Sequence, residues 1–168
     1  DDNPVVIFED KLMYQDKAPV PEEEYLIPFG EAAVLREGAD VTLVGTSSMV
    51  QVCAKAAEAL AGEGISAEVI DPRTLVPFDE ATIVDSVRKT SRAVVVDEGH
   101  RNFGVTGEIA SRIMEKAFYH LDAPVARLGA MDVPVPFSPA LEDLTVPTPE
   151  TVADTARKLC RGELLHAA

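Results

Sequence analysis

Long apolar runs, clustered cysteines and positive charge are what this sequence has least of, and each shortage removes a class of function. Nowhere do 18 apolar residues follow one another, so no segment is built to cross a bilayer as a helix. The opening residues Asp1, Asp2, Asn3 and Pro4 have neither the basic nor the apolar part of a secretory signal. A soluble, cytoplasmic protein is the expectation. Cys53 and Cys160 stand far apart with no Cys-x-x-Cys, and His100, His120 and His166 share no ligand spacing, so neither a zinc centre nor a redox pair is indicated. The cysteines read as small buried residues and the histidines as structural or exposed ones. Lysine and arginine number 15 against 29 acids, a net charge of -14, which leaves no basic stripe to neutralise phosphates. Nucleic acid is excluded and anionic membrane disfavoured. An acidic surface of this kind serves solubility, or meets a basic partner.

There is also no initiator methionine, and residues 4–8, Pro-Val-Val-Ile-Phe, read as a buried strand that begins at once. Both suit a boundary just before a linker between two domains, so the chain is expected to be part of something longer. Residues 10–39 carry the run Glu22, Glu23, Glu24 and the turn formers Pro19, Pro21 and Pro28, and read as that linker. Within it, Ala32 to Arg36 is expected to add an edge strand. Only a short turn separates it from Val41, so it should lie antiparallel to its neighbour.

From residue 40 onward β-branched runs alternate with helical patterns, the rhythm of βαβ units around a mainly parallel sheet. Val41 to Val44 is a strand. Ser48 and Gln51 fit a capping box that opens a helix whose inner face is Met49, Cys53, Ala56, Ala57 and Leu60, ended by Gly62 and Gly64. Ile65 to Ile70 is the next strand, Asp79 caps a helix burying Ile83, Val84 and Val87, and Ala93 to Val96 follows. Residues 107–120 place Ile109, Ala110, Ile113, Met114, Ala117 and Phe118 on one helical face, and Pro124 to Leu128 is the last strand. Residues 133–149 hold five prolines and form an ordered loop. Thr148 and Pro149 then open a final helix that buries Val152, Ala153, Ala156 and Leu159. The pattern predicts an α/β fold of βαβ units on a five-stranded, mostly parallel sheet with one antiparallel strand.

Ligands of open α/β sheets bind beyond the carboxyl ends of the strands, which puts three loops in question. Gly45 to Ser48 leads into a helix N-terminus that suits an anion, although a plain helix cap is the commoner use. Residues 97–107 crowd Asp97, Glu98, His100, Arg101 and the glycines 99, 104 and 107 between a strand and a helix. A histidine beside two acids suits acid–base work, while the glycine spacing matches no nucleotide motif and equally suits tight turns or a subunit-interface loop. Residues 131–139 form a proline-stiffened loop carrying Phe137, suited to docking because little entropy is lost on binding.

One ordered series of segments resembles a known family. Leu35-Arg36-Glu37-Gly38, Asp40 to Val44, Glu68 to Thr74 with its Asp71-Pro72-Arg73-Thr74, Val95 to Glu98, Leu121-Asp122-Ala123-Pro124 and Pro134 to Pro139 resemble, in order, the β subunit of thiamine-diphosphate-dependent 2-oxo acid dehydrogenase decarboxylating components. Within that family the segments look most like acetoin dehydrogenase, with pyruvate and branched-chain enzymes close behind. The resemblance implies the transketolase C-terminal-domain fold, a three-layer α/β/α sandwich on a five-stranded sheet with one reversed strand, over residues 31–168, with 1–30 as linker and the end of a preceding domain. It implies thiamine diphosphate and magnesium in the assembled enzyme. None is expected on this chain, which contains no Gly-Asp-Gly. It implies an assembly and docking domain, inactive alone, whose partners are the α subunit, a second β subunit and the dihydrolipoamide acyltransferase. Asp122, in the Leu-Asp-Ala-Pro motif, is the implied acyltransferase contact; Phe137, Glu142 and Asp143 are further partner-binding candidates, and Glu98, Gly99, His100, Arg101, Gly104 and Gly107 form the candidate interface loop. The segment from Cys160 to Ala168 carries an implied C-terminal contact less securely. The tail of a transketolase or deoxyxylulose-phosphate synthase, or a free-standing small-molecule binding module, are the competing readings.

Overall fold

Alternation of side chains along the parallel strands decides the layering. The computed structural model describes residues 2–15 and 17–163. Five strands, β1 (Ala33–Arg36), β2 (Val41–Gly45), β3 (Ala67–Asp71), β4 (Ala93–His100) and β5 (Ala126–Ala130), form one sheet in the order β1-β3-β2-β4-β5. β2 pairs in parallel with β3 and β4, β4 pairs in parallel with β5, and β1 runs antiparallel to β3. Helices α1 (Met49–Gly62), α2 (Glu80–Thr90), α3 (Val105–Ala117), α4 (Pro139–Glu142) and α5 (Pro149–Cys160) connect or follow them. No described helix is long and apolar enough to cross a membrane.

Successive strand residues point to opposite faces. Val41, Leu43, Val69, Val94 and Val96 therefore face one way and meet Cys53, Ala57 and Leu60 of α1 and Val152, Ala156 and Leu159 of α5. Their neighbours Val44, Ile70, Ala93 and Val95 face the other way and meet Ile83 and Val87 of α2 and Ile109 and Ile113 of α3. The small residues Ala56, Ala57, Ala153 and Ala156 let α1 and α5 lie close against one another. Each fully buried leucine or isoleucine contributes about 2 kcal/mol by leaving water. Cys53 lies in the first of these cores, and burial pushes its thiol up to about 12. A thiol reagent at pH 8 should therefore modify Cys53 only after denaturation; rapid modification in the native state would show that α1 opens.

Several local expectations hold. The Asp79 side chain accepts from the Thr82 amide, and Thr148 forms a capping box with Thr151 ahead of Pro149. Others do not. The edge strand β1 is antiparallel, but it pairs with β3 and not with its sequence neighbour β2, whose two edges are filled by β3 and β4. Residues 5–8 form no strand and are exposed, from 70% at Val5 to 92% at Phe8, having neither a strand to pair with nor an apolar face to cover. Met114 and Phe118 are partly exposed, because the face of α3 that meets the sheet is narrower than the apolar stripe and the helix gives way to a 3-10 turn at Phe118–His120. β4 runs on to His100, into the segment read as loop, and the proline-rich loop contains the short α4. Cys160 is only partly buried. His166, and the segment beyond residue 163, lie outside the described residues.

Candidate functional site

The chain leaves β2 through α1 to reach β3 on one side, then returns through α2 to β4 on the other, so the strand order reverses between β2 and β4. Ligands of doubly wound folds occupy the crevice at this point. Here it is closed. Thr46 donates its hydroxyl to Asp97, whose other oxygen accepts from the Gly99 amide at 2.8 Å. Ser48, read from the sequence as a capping residue, makes no cap and donates instead to Glu98 Oε2 at 2.6 Å. The amides of Met49, Val50 and Gln51 are already bonded to the carbonyls of Thr46, Ser47 and Ser48 at 3.0, 3.2 and 3.1 Å. Gly45 passes so close beneath them that a Cβ would lie 2.7 Å from the Met49 carbonyl oxygen.

Two carboxylates thus line this crevice, and their charge would repel a diphosphate. Among the described residues no group of three or more histidines, cysteines and acids stands together to hold a metal. These residues do not fit a diphosphate–metal group. The anion reading of Gly45 to Ser48 fails for the same reason.

Beside this crevice, residues 98–104 and 131–145 are tied together. His100 Nδ1 lies 2.9 Å from the Met131 carbonyl oxygen, which places the proton on that nitrogen, and Asp132 is 3.9 Å away. Its acidic neighbour is therefore Asp132 and not Asp97 or Glu98, which are engaged with Thr46 and Ser48. Arg101 donates its amide to the Ala130 carbonyl at 3.1 Å, Asn102 donates to Asp132, and the Arg127 guanidinium donates to the Arg101 carbonyl at 3.3 Å. A Cβ on Gly104 would lie 2.1 Å from the His100 carbonyl oxygen, so the turn closes only with glycine there. At Gly107 the nearest neighbour of a Cβ is an Arg127 nitrogen at 3.4 Å, an ordinary contact. This pinned loop displays Phe103 in the left-handed region, φ 58°, with its ring wholly exposed. Phe137 is equally exposed, and Glu142 and Asp143 lie on and just after α4 in the same segment. Exposed rings on a hydrogen-bonded loop lose less freedom on meeting a partner than rings on a loose one.

Asp122 stands at the other end of the sheet, before β5. Its amide donates to the Ser91 carbonyl at 2.9 Å, and its Oδ2 accepts from Arg92 at 2.9 Å. The site residues read from the sequence therefore fall into two groups. Glu98 to Gly107, Phe137, Glu142 and Asp143 belong to the carboxyl end of the strands, Asp122 to the amino end. Sequence reasoning missed Arg92, and held Asn102, Phe103 and Asp132 only as members of their loops; the contacts of Arg92, Asn102 and Asp132 were not foreseen. Their partners are some 30 positions away in the chain, and no spacing rule links them.

What the fold and the loops define together is a mixed five-stranded α/β domain whose polar loop groups bond one another and whose Phe103 and Phe137 rings stand exposed. The family model for the transketolase C-terminal domain matches residues 30–152. The β-1 subunit of the mitochondrial pyruvate dehydrogenase E1 component of Arabidopsis thaliana is 46% identical over 164 residues, 95% of this chain and 45% of that protein. The β subunit of the acetoin:2,6-dichlorophenolindophenol oxidoreductase of Bacillus subtilis is 44% identical over 159 residues, 95% of this chain and 46% of that one. Among solved structures, a split-gene transketolase described as an inactive β4 tetramer aligns with a TM-score of 0.69 at 29% identity, over 87% of this chain and 46% of that one. A transketolase mutant from Pichia stipitis, at 23% identity and a TM-score of 0.56 over 80% of this chain and 18% of that one, shares the fold. The chain belongs to the transketolase C-terminal domain family. It spans about half the length of the curated relatives it matches.

Proposed function

We propose that this chain is the C-terminal assembly and docking domain of the β subunit of a thiamine-diphosphate-dependent dehydrogenase acting on acetoin or a 2-oxo acid such as pyruvate. The observation that carries this reading is identity of 44–46% over 95% of the chain to the β subunits of pyruvate and acetoin enzymes. Thiamine diphosphate and magnesium belong, in this reading, to parts of the enzyme outside this chain, in keeping with the two carboxylates at the switch point. The carboxyl-end surface with Phe103, Phe137, Glu142, Asp143 and the loop from Glu98 to Gly107 faces the α subunit and a second β subunit. Residues 1–30 join a preceding domain, against which the exposed run from Val5 to Phe8 packs.

At the amino end, Asp122 docks the basic subunit-binding segment of the acyltransferase. Its carboxylate is 60% exposed, and the net charge of -14 draws a basic partner by long-range attraction. In the assembled enzyme, Asp122→Lys should weaken binding of that segment by about tenfold or more, because attraction becomes repulsion at one contact. Decarboxylation measured with an artificial electron acceptor should keep its rate. Unchanged affinity at low ionic strength would refute the docking role.

A further inference from the structure

The amino end of the sheet holds a cation that the contacts described so far leave without a purpose. Arg92 immediately precedes β4, and its carbonyl accepts from the Thr42 amide at 2.8 Å, so its backbone is part of the sheet. Its side chain is 25% exposed. One guanidinium nitrogen, Nη1, donates to the carbonyl oxygen of Asp40 at 3.3 Å, and the other, Nη2, donates to Asp122 Oδ2 at 2.9 Å. The third, Nε, is buried without a partner.

An ion pair in which one member is 60% exposed adds little to stability, because water screens it and both side chains must be held. Geometry gives it another use. The guanidinium is anchored by the Asp40 carbonyl, independently of Asp122, and the residue before it, Ser91, holds the Asp122 amide. Asp122 is therefore fixed through backbone and side chain to the same dipeptide. Its Oδ2 is occupied, no described residue bonds its Oδ1, and the side chain is 60% exposed.

We infer that Arg92 is a positioning residue for Asp122, holding the carboxylate in place with Oδ1 left open to a docking cation. This rests on the docking role proposed for Asp122. A carboxylate already fixed in place loses less freedom on binding, and that gain outweighs the partial neutralisation by Arg92, because the new cation approaches from the solvent side.

A double-mutant cycle in the assembled enzyme separates the possibilities, with the purified subunit-binding segment of the acyltransferase as probe. Asp122→Asn should weaken binding about tenfold and Arg92→Gln, which removes the guanidinium from Asp122 while keeping a polar side chain, about fivefold. The double variant should bind no worse than Asp122→Asn alone, since Arg92 acts only through that carboxylate. Should Arg92→Gln fail to assemble, Arg92→Lys enters the same cycle with an expected loss of about threefold. Wild-type affinity in Asp122→Asn would overturn the docking role itself. If Asp122→Asn weakens binding while Arg92→Gln binds as well as or better than the parent, docking stands and positioning falls. Losses that multiply in the double variant would make Arg92 a structural residue and also overturn the inference.

Discussion

Gly38→Ala is expected to cost the domain about 3 kcal/mol, read as a drop of about 6–12 °C in the thermal midpoint for a chain of this size. The turn between β1 and β2 passes over the start of β3, and a Cβ at residue 38 would lie 2.2 Å from both the Ala67 carbonyl carbon and the Glu68 nitrogen. Both are backbone atoms and cannot swing aside. Nor can the turn lift away. The amides of Ala39 and Asp40 donate to the Ser66 carbonyl at 3.0 and 2.8 Å, and the Ser66 amide donates to Asp40 Oδ2 at 2.7 Å. Gly62→Ala is the control, because nothing lies within 4 Å of a Cβ there and alanine suits the last turn of α1. Equal midpoints for Gly38→Ala and the parent would show that this crossing is looser than the geometry describes.

Breaking the cluster under the same crossing should have the next largest effect. Glu68, 2% exposed, projects from β3 beneath α2, where its carboxylate accepts from Lys89 and from the Gly38 amide at 3.2 Å. Lys89 also reaches Glu37 at 2.9 Å, while Thr42 bonds Ser86 and Thr90, each at 2.7 Å, deeper in. Lys89→Met strands a buried carboxylate, which should cost about 2 kcal/mol at pH 7, below the full price of a buried pair because Lys89 is nearly half exposed. Burial alone would raise the Glu68 carboxyl, but the Lys89 ammonium, the Ser86 hydroxyl and the Gly38 amide outweigh it and hold it below its ordinary 4.5. A carboxyl lowered in the folded state contributes stability above its unfolded value and loses it as pH falls through the folded one. Asp79, lowered by the amides of Ala32 and Thr82 and the Thr82 hydroxyl against a burial that would raise it, acts in the same direction. Urea titrations between pH 7 and 3 should show stability falling as the pH drops below about 4.5, with a shallower fall in Lys89→Met. The same slope in parent and variant would count against the pair.

The two cases mark what local pattern can and cannot reveal. Alternation in Val41 to Val44 and Ala93 to Val96 and the spacing of Cys53, Ala57 and Leu60 determined the layers, because burial follows the period of each element. Asp79 and Thr148 were legible as caps, since a cap and its amide lie within one turn. The partner of β1 was not. Its sequence neighbour β2 has both edges filled, and that is a property of the whole sheet. Ser48 turned to Glu98, 50 residues away, because a carboxylate delivered by β4 competes with the cap.

Fold class, strand number and the ordered segments that resemble the family were set by sequence alone, through periodicity and short-range chemistry. Tertiary structure decided where the chemistry lies: carboxylates close the switch point, the aromatic loops share one end of the sheet, and Asp122 meets Arg92 at the other. Those contacts join residues far apart in the chain, and only the packing of strands into one sheet brings them within hydrogen-bonding reach.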